Sequence, residues 1–145
     1  MRSRRHRRRA QPGQALVETA LVVPVLLVMA FGIVGLGRLT QAQMAISAVA
    51  REAARTGALA DRASDARRTG EQRGFEVGAG YNLAHPPLDV QVDADKFGRC
   101  GSVSAHASYT LDMSDLPLLG WVRFKLQSTH AEPVDGYRSQ LSGAC

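Results

Sequence analysis

Residues 13–57, GQALVETALVVPVLLVMAFGIVGLGRLTQAQMAISAVAREAARTG, decide how this chain folds. The 18 residues from 20 to 37 carry no charge. At about 1.5 Å per helical residue they span roughly 27 Å, close to the hydrocarbon thickness of a bilayer. The apolar run starts earlier, at Ala15, so a tilted crossing is easily reached. One ionisable group, Glu18, sits in its first turns. A carboxylate at the centre of a membrane helix costs about 2.5 kcal/mol or more, and less near the interface, which marks Glu18 as a functional candidate.

Past Gly37 the same helix continues. Leu39, Ala42, Ile46, Val49 and Ala53 recur at spacings of three and four and form one apolar stripe, with Arg38, Gln41, Ser47, Arg51, Glu52 and Arg55 on the other faces. So alanine-rich a stripe admits close approach, either of the chain's own sheet or of neighbouring helices in a bundle. The spine is expected to end near Thr56-Gly57, with Gly57 as its C-terminal cap. Pro24 is expected to kink or loosen the span. Gly32, Gly35 and Gly37 give a smooth face for helix contact without the GxxxG spacing.

The formal charge of +5 belongs to an arm. Six arginines lie between Arg2 and Arg9, and without them the chain sums to −1. Three readings compete for MRSRRHRRR: nucleic-acid binding, a twin-arginine export signal, and retention of the N-terminus in the cytoplasm. An arm that abuts a spanning helix has little reach for DNA, so the third is preferred and no nucleic-acid partner is expected. Arg38 is the first charge past the span, which orients the chain N-terminus in and C-terminus out. Gly35-Leu36-Gly37 offers a small-x-small site to an ordinary signal peptidase. The apolar run is too long for a cleavable signal, however, and the helical pattern continues through the site.

Pro12-Gly13 breaks regular structure, so a helix begins at or just after Gly13, and Glu18 is fifth counted from Gln14. A basic leader, a glycine and an apolar helix with glutamate fifth resemble a type IV pilin-like leader. The resemblance implies a cut by a prepilin peptidase between Gly13 and Gln14, on the cytoplasmic side. The new ammonium would then pair with Glu18 of a neighbouring subunit and favour correct axial register, because misregistered subunits leave both charges unpaired.

The remaining residues can build only a modest core. Residues 61–74, DRASDARRTGEQRG, read as an exposed helix or loop, and Gly78 and Gly80 as linker glycines rather than a nucleotide loop. Three strands are expected at residues 88–94, 102–111 and 124–131, from alternation of Leu88, Val90 and Val92, then Val103, Ala105, Ala107, Tyr109 and Leu111, then Phe124, Leu126, Ser128 and His130. Cys100 and Cys145 are the only cysteines. In an oxidising exterior they would pair and close a loop of about 45 residues worth roughly 3–4 kcal/mol, the alternative being a free or intermolecular thiol. His6, His85, His106 and His130 lack metal-ligand spacing, and His106 and His130 are candidate cross-strand neighbours. Asp89, Asp93 and Asp95 read as exposed carboxylates rather than a calcium site. No catalytic set, metal or cofactor is expected.

The whole pattern resembles the TadE-like family, pseudopilins or minor pilins of the tight-adherence (Flp) pilus secretion systems. GQALVETALVVPVLL at residues 13–27 and AREAARTGAL at residues 50–59 carry the resemblance, with the three strands more loosely. It implies a prepilin peptidase, the major Flp pilin, other pseudopilins and the pilus assembly platform with its ATPase as partners. Gly13 and Gln14 would flank the cut, and Glu18 would be the assembly glutamate. Major Flp pilins are much shorter and usually carry an aromatic after the glutamate, where this chain has Thr19, so an accessory subunit fits better. The expected fold class is α+β: a pilin-like spine with a small antiparallel three-stranded sheet. The expected organisation is a cytoplasmic basic leader 1–13, a transmembrane helix 14–37, its extracytoplasmic continuation 38–60 and a small α/β region 61–145. Such a chain crosses the bacterial cytoplasmic membrane once and oligomerises, with itself or with other pilins, through the helix. The alternative is an uncleaved, single-pass membrane-anchored exterior protein with a binding or structural role.

Overall fold

The computed structural model describes residues 12–83, 87–117 and 120–135. The spine is one helix, α1 (Pro12–Ala58), of 47 residues and therefore about 70 Å long. It begins one residue before the expected glycine, and proline suits a first helical position because its missing N–H would be unpaired there anyway. The helix runs through Pro24 as one element, although that residue has no N–H to offer the carbonyl of Ala20. Gly57 is not the cap that the sequence suggested. It lies inside the helix, and a Cβ there would meet Val103 Cγ1 at 2.9 Å and the Ala66 carbonyl oxygen at 3.2 Å. Its role is close approach.

A second helix, α2 (Ala63–Gly80), takes the helix alternative for residues 61–74 and runs on through Gly78 and Gly80, which were expected to be linker glycines. The signal that was passed over is Ala66, Gly70, Gly74 and Gly78, a stripe of small residues four apart, all buried. A Cβ on Gly70 would sit 2.8 Å from the carbonyl oxygen of Ala53, and one on Gly74 would sit 2.7 Å from Val90 Cγ1. The stripe therefore wedges α2 between α1 and the first strand. The end of α2 also has a definite cause. Asn82 adopts φ 57, and the amides of Asn82 and Leu83 donate to the carbonyls of Ala79 (3.0 Å) and Gly78 (2.9 Å). This is the Schellman arrangement, with asparagine taking the left-handed position and Leu83 buried behind it.

Strands β1 (Asp89–Asp93), β2 (Ser102–Asp112) and β3 (Arg123–Pro133) form one antiparallel sheet in that order, so the fold is α+β as expected. Alternation settles which face is covered. Val90 and Val92 of β1 and Val103, Ala105 and Ala107 of β2 are buried beneath the helices, with Tyr109 and Leu126 packed against that core. The opposite face is polar, with His106, Lys125 and Gln127 exposed. His106 and His130 do not meet. His106 pairs across the ladder with Thr129, whose hydroxyl is 2.8 Å from Nδ1, whereas His130 pairs with Ala105 on the other face. Adjacent strand positions point to opposite sides, so a one-residue offset separates the two rings completely.

Among the described residues Ile46, Val49 and Val103 are the largest fully buried side chains and alanine supplies much of the rest of the core, so cohesion depends on backbones brought close by alanine and glycine. Gly70→Ala accordingly tests the fold. Helix propensity alone would favour alanine by about 1 kcal/mol. Contact with the rigid Ala53 carbonyl should outweigh that, for a net loss of about 1–2 kcal/mol. Gly80→Ala, which meets nothing within 4 Å, should be neutral or stabilising. Thermal unfolding of the two variants in detergent, followed by near-ultraviolet dichroism, checks the contrast.

Candidate functional site

The stripe of α1 that the sequence marked out is divided between two environments. Ala42, Ala45, Ile46, Val49, Ala50, Ala53, Ala54 and Ala58 are buried against the sheet and α2. Before them the apolar side chains face outward, with Leu16 72% and Leu21 69% exposed. Packing against the rest of the chain thins out from Ala42 towards Phe31, with Gly35 still buried and Gly32 and Leu39 half-buried, and residues 13–30 of α1 are exposed throughout. A helix that long and apolar fits a single-pass membrane anchor.

Gly13, Gln14 and Glu18 all fall in the first turns of α1, with Gln14 and Glu18 four residues apart and so on one face. All three are exposed, and a Cβ on Gly13 would meet nothing within 4 Å. Nothing in the described packing therefore calls for glycine at that position, where it costs helix propensity. Glu18 has no hydrogen-bond or ion-pair partner among the described residues. The neighbouring Thr19 hydroxyl donates to the Ala15 carbonyl at 2.9 Å, which satisfies it within the helix. The arginine arm, residues 1–9, lies outside the described residues.

Where the apolar half gives way to the packed half, the Arg38 guanidinium donates to the Asp115 carboxylate in the β2–β3 connection. Seventy-seven residues separate the two, and no local pattern in the sequence announces the pair. The hydrogen bond from Arg38 holds the Asp115 carboxyl below the usual aspartate range, with the charge of Arg38 acting in the same direction.

The other candidate residues are dispersed. Cys100 occupies an exposed turn with φ 57, a left-handed position that costs a residue with a Cβ roughly 1 kcal/mol. Its expected partner Cys145 lies outside the described residues, as does His85. Asp89 and Asp93 are exposed strand residues, and Asp95 pairs with Arg67 of α2. No group of potential metal ligands occurs among the described residues.

The Arg38–Asp115 pair yields a prediction whose sign is fixed. A carboxyl whose pKa falls on folding stabilises the fold above its unfolded pKa and stops doing so as pH drops through the lowered value. Docking of the β2–β3 connection should therefore be constant from neutral pH down to the ordinary aspartate range and weaken below it. Hydrogen exchange at the Met113 and Leu116 amides across an acid titration measures this, and Asp115→Asn should abolish the Asp115 component of the pH dependence.

Comparison with known proteins gives one match. The family described as TadE-like protein matches residues 13–55, less than half of the chain. No curated protein matches it. No solved structure does either. The matched segment holds Gly13, Gln14, Glu18, the exposed apolar part of α1 and most of its packed part, and over this segment the chain is similar to the TadE-like family.

Proposed function

We propose that this chain is a pseudopilin or minor pilin of a tight-adherence pilus system, processed after Gly13 and using Glu18 to set its register during assembly. The observation that carries the reading is the combination of an exposed Glu18 with no partner among the described residues and a Gly13 at which no described contact requires glycine, both at the exposed start of α1. The family match supports the pilus association.

The chemistry follows from the geometry of a helix start. Hydrolysis of the Gly13–Gln14 bond releases the arginine arm with the Gly13 carboxylate and leaves an ammonium on Gln14. That cation lies at the positive end of the helix dipole, where it is disfavoured and benefits from an anion nearby. A neighbouring subunit displaced along the filament axis presents its Glu18 there. Each charge is costly in an apolar setting when alone, so the pair rewards one axial offset and penalises others. The prepilin peptidase, the major Flp pilin, other pseudopilins and the assembly platform are the partners this role requires.

The arginine arm would hold the N-terminus in the cytoplasm and place the domain that follows residue 37 outside. In that oxidising compartment Cys100 and Cys145 would form a disulfide that ties the chain end to the turn before β2.

Two measurements test the proposal. The intact mass of protein purified from its host membranes should correspond to a chain beginning at Gln14, and should rise by two protons on reduction. Glu18→Leu should retain membrane insertion while incorporation into the assembled pilus system falls by about tenfold or more, as loss of an apolar-phase charge pair implies. A chain that keeps its arginine arm, or a Glu18→Leu variant that assembles normally, would leave only an uncut membrane anchor with an exterior domain.

A further inference from the structure

Two elements run back along α1 towards its apolar part. Val103, near the start of β2, packs on Gly57, and Asp115, just past the end of β2, meets Arg38. Gly70 of α2 lies on Ala53 and Gly78 lies near Val49, so α2 descends the helix in the same direction. Between α1, the end of α2 and the second half of β2 lies a cleft of about 160 Å³. Arg38, Gln41, Tyr81, Asn82 and Tyr109 line it, over buried alanines of α1.

Five hydrogen-bonding side chains therefore converge on one small space. The Gln41 and Asn82 amides and the Tyr81 and Tyr109 hydroxyls have no hydrogen-bond partner among the described residues. Arg38 gives Nη1 to Asp115, and a guanidinium has five N–H donors in all. Asn82 occupies the left-handed position after α2, where glycine is the usual residue. Glycine would end the helix as well, whereas asparagine adds an exposed amide to the cleft.

The height of the cleft selects what fills it. Arg38 is the first charge after the uncharged residues 20–37, so the hydrocarbon edge of a bilayer falls just below it. From Arg38 to Ala45, which also lines the cleft, is about 10 Å of helix. A headgroup layer is roughly 5–8 Å deep, so the cleft opens at the level of the lipid phosphates. Its N–H groups suit phosphate oxygens, and its amide and phenol oxygens accept from headgroup hydroxyls. Asp115 offsets the charge of Arg38, so recognition rests on placed hydrogen bonds more than on net charge.

We propose that this cleft binds the glycerophosphate headgroup of an outer-leaflet phospholipid, the guanidinium and amides donating to the phosphate and the phenols meeting the glycerol hydroxyls. This rests on the reading of the first part of α1 as a spanning helix with the domain outside. A headgroup held there sets the depth of the domain over the bilayer.

The test uses the full chain, first checked for resistance to carbonate extraction from its host membranes. In detergent, native mass spectrometry then follows titration with phosphatidylglycerol, phosphatidylcholine or inorganic phosphate. Asn82→Gly keeps the helix cap and Tyr81→Phe keeps the ring, so the double variant removes polar groups alone. The expected result is one phosphatidylglycerol bound about tenfold more tightly than phosphatidylcholine, with about tenfold loss of that affinity in the double variant. Gln41→Ala, at an exposed helix position, repeats the comparison if the double variant does not fold. Equal affinity for the two lipids, or for wild type and a folded variant, overturns the site and leaves the spanning helix standing. Inorganic phosphate bound as tightly as the lipid shows a site for the free anion and overturns the lipid assignment. A chain released by carbonate defeats the spanning reading itself, and the headgroup site with it.

Discussion

The close, antiparallel approach of α1 and β2 is the constraint on which the other features depend. It is possible because the helix offers alanine at Ala42, Ala45, Ala50, Ala53 and Ala54 and glycine at Gly57, while the strand offers Val103, Ala105 and Ala107. Small side chains contribute little transfer free energy individually, but they bring backbones near enough for many weak contacts to accumulate. The same economy of volume recurs where α2 inserts its 66, 70, 74, 78 stripe between α1 and β1. A methyl group added at Gly57, Gly70 or Gly74 would press on a valine or a backbone carbonyl within 3 Å, so the three elements form one unit. A core with few large side chains tolerates little separation, since each gap forfeits contacts that nothing bulky replaces.

How much of this could be read from the sequence depended on whether the signal was local. The spine was legible because 18 uncharged residues and a three-four stripe dominate any window. The strands were legible to within two residues, since alternation in residues 89–93, 102–112 and 123–133 coincides with burial on the helix side. The second helix was left undecided against a loop, and its extension through Gly78 and Gly80 went unread, because its buried face consists of glycine and alanine. Hydropathy scales weight those residues too lightly to show a periodicity, and glycine reads as a breaker when it is in fact a gap for Val90, Val92 and Leu88. Gly57 was misread for the same reason: a glycine near a helix end suggests a cap until the strand that needs its space is known. Arg38 and Asp115 were each visible but not as a pair, because their meeting depends on the combined lengths of α1, β2 and the turn that follows.

Position within the membrane half is a different matter. Glu18 stood out because a charge in an apolar run is improbable unless it has a task, and the family match covers it. The structure adds that Glu18 has no hydrogen-bond or ion-pair partner among the described residues. The hairpin tip carried no such mark. The connection after β2 reads as an ordinary one until β2 is seen to run down the helix and bring Met113, Val122 and Phe124 beside Gly32 and Leu36.

The continuity of α1 connects these two ends mechanically. From Glu18 to Ala42, where the domain begins, is 24 residues, or about 36 Å of helix. A register fixed at Glu18 reaches the domain only as accurately as that segment is stiff. Pro24 removes one hydrogen bond from it, and Gly32, Gly35 and Gly37 lower its helix propensity. Left alone, such a segment would bend and let the domain tilt. The Arg38–Asp115 pair and the groove from Gly32 to Leu39 brace its last two turns against the hairpin, so compliance is confined to the stretch between Glu18 and Phe31. In the proposed role, this arrangement would hold the domain steady against the hairpin while the N-terminal turns of α1 adjust to a neighbour that supplies the countercharge.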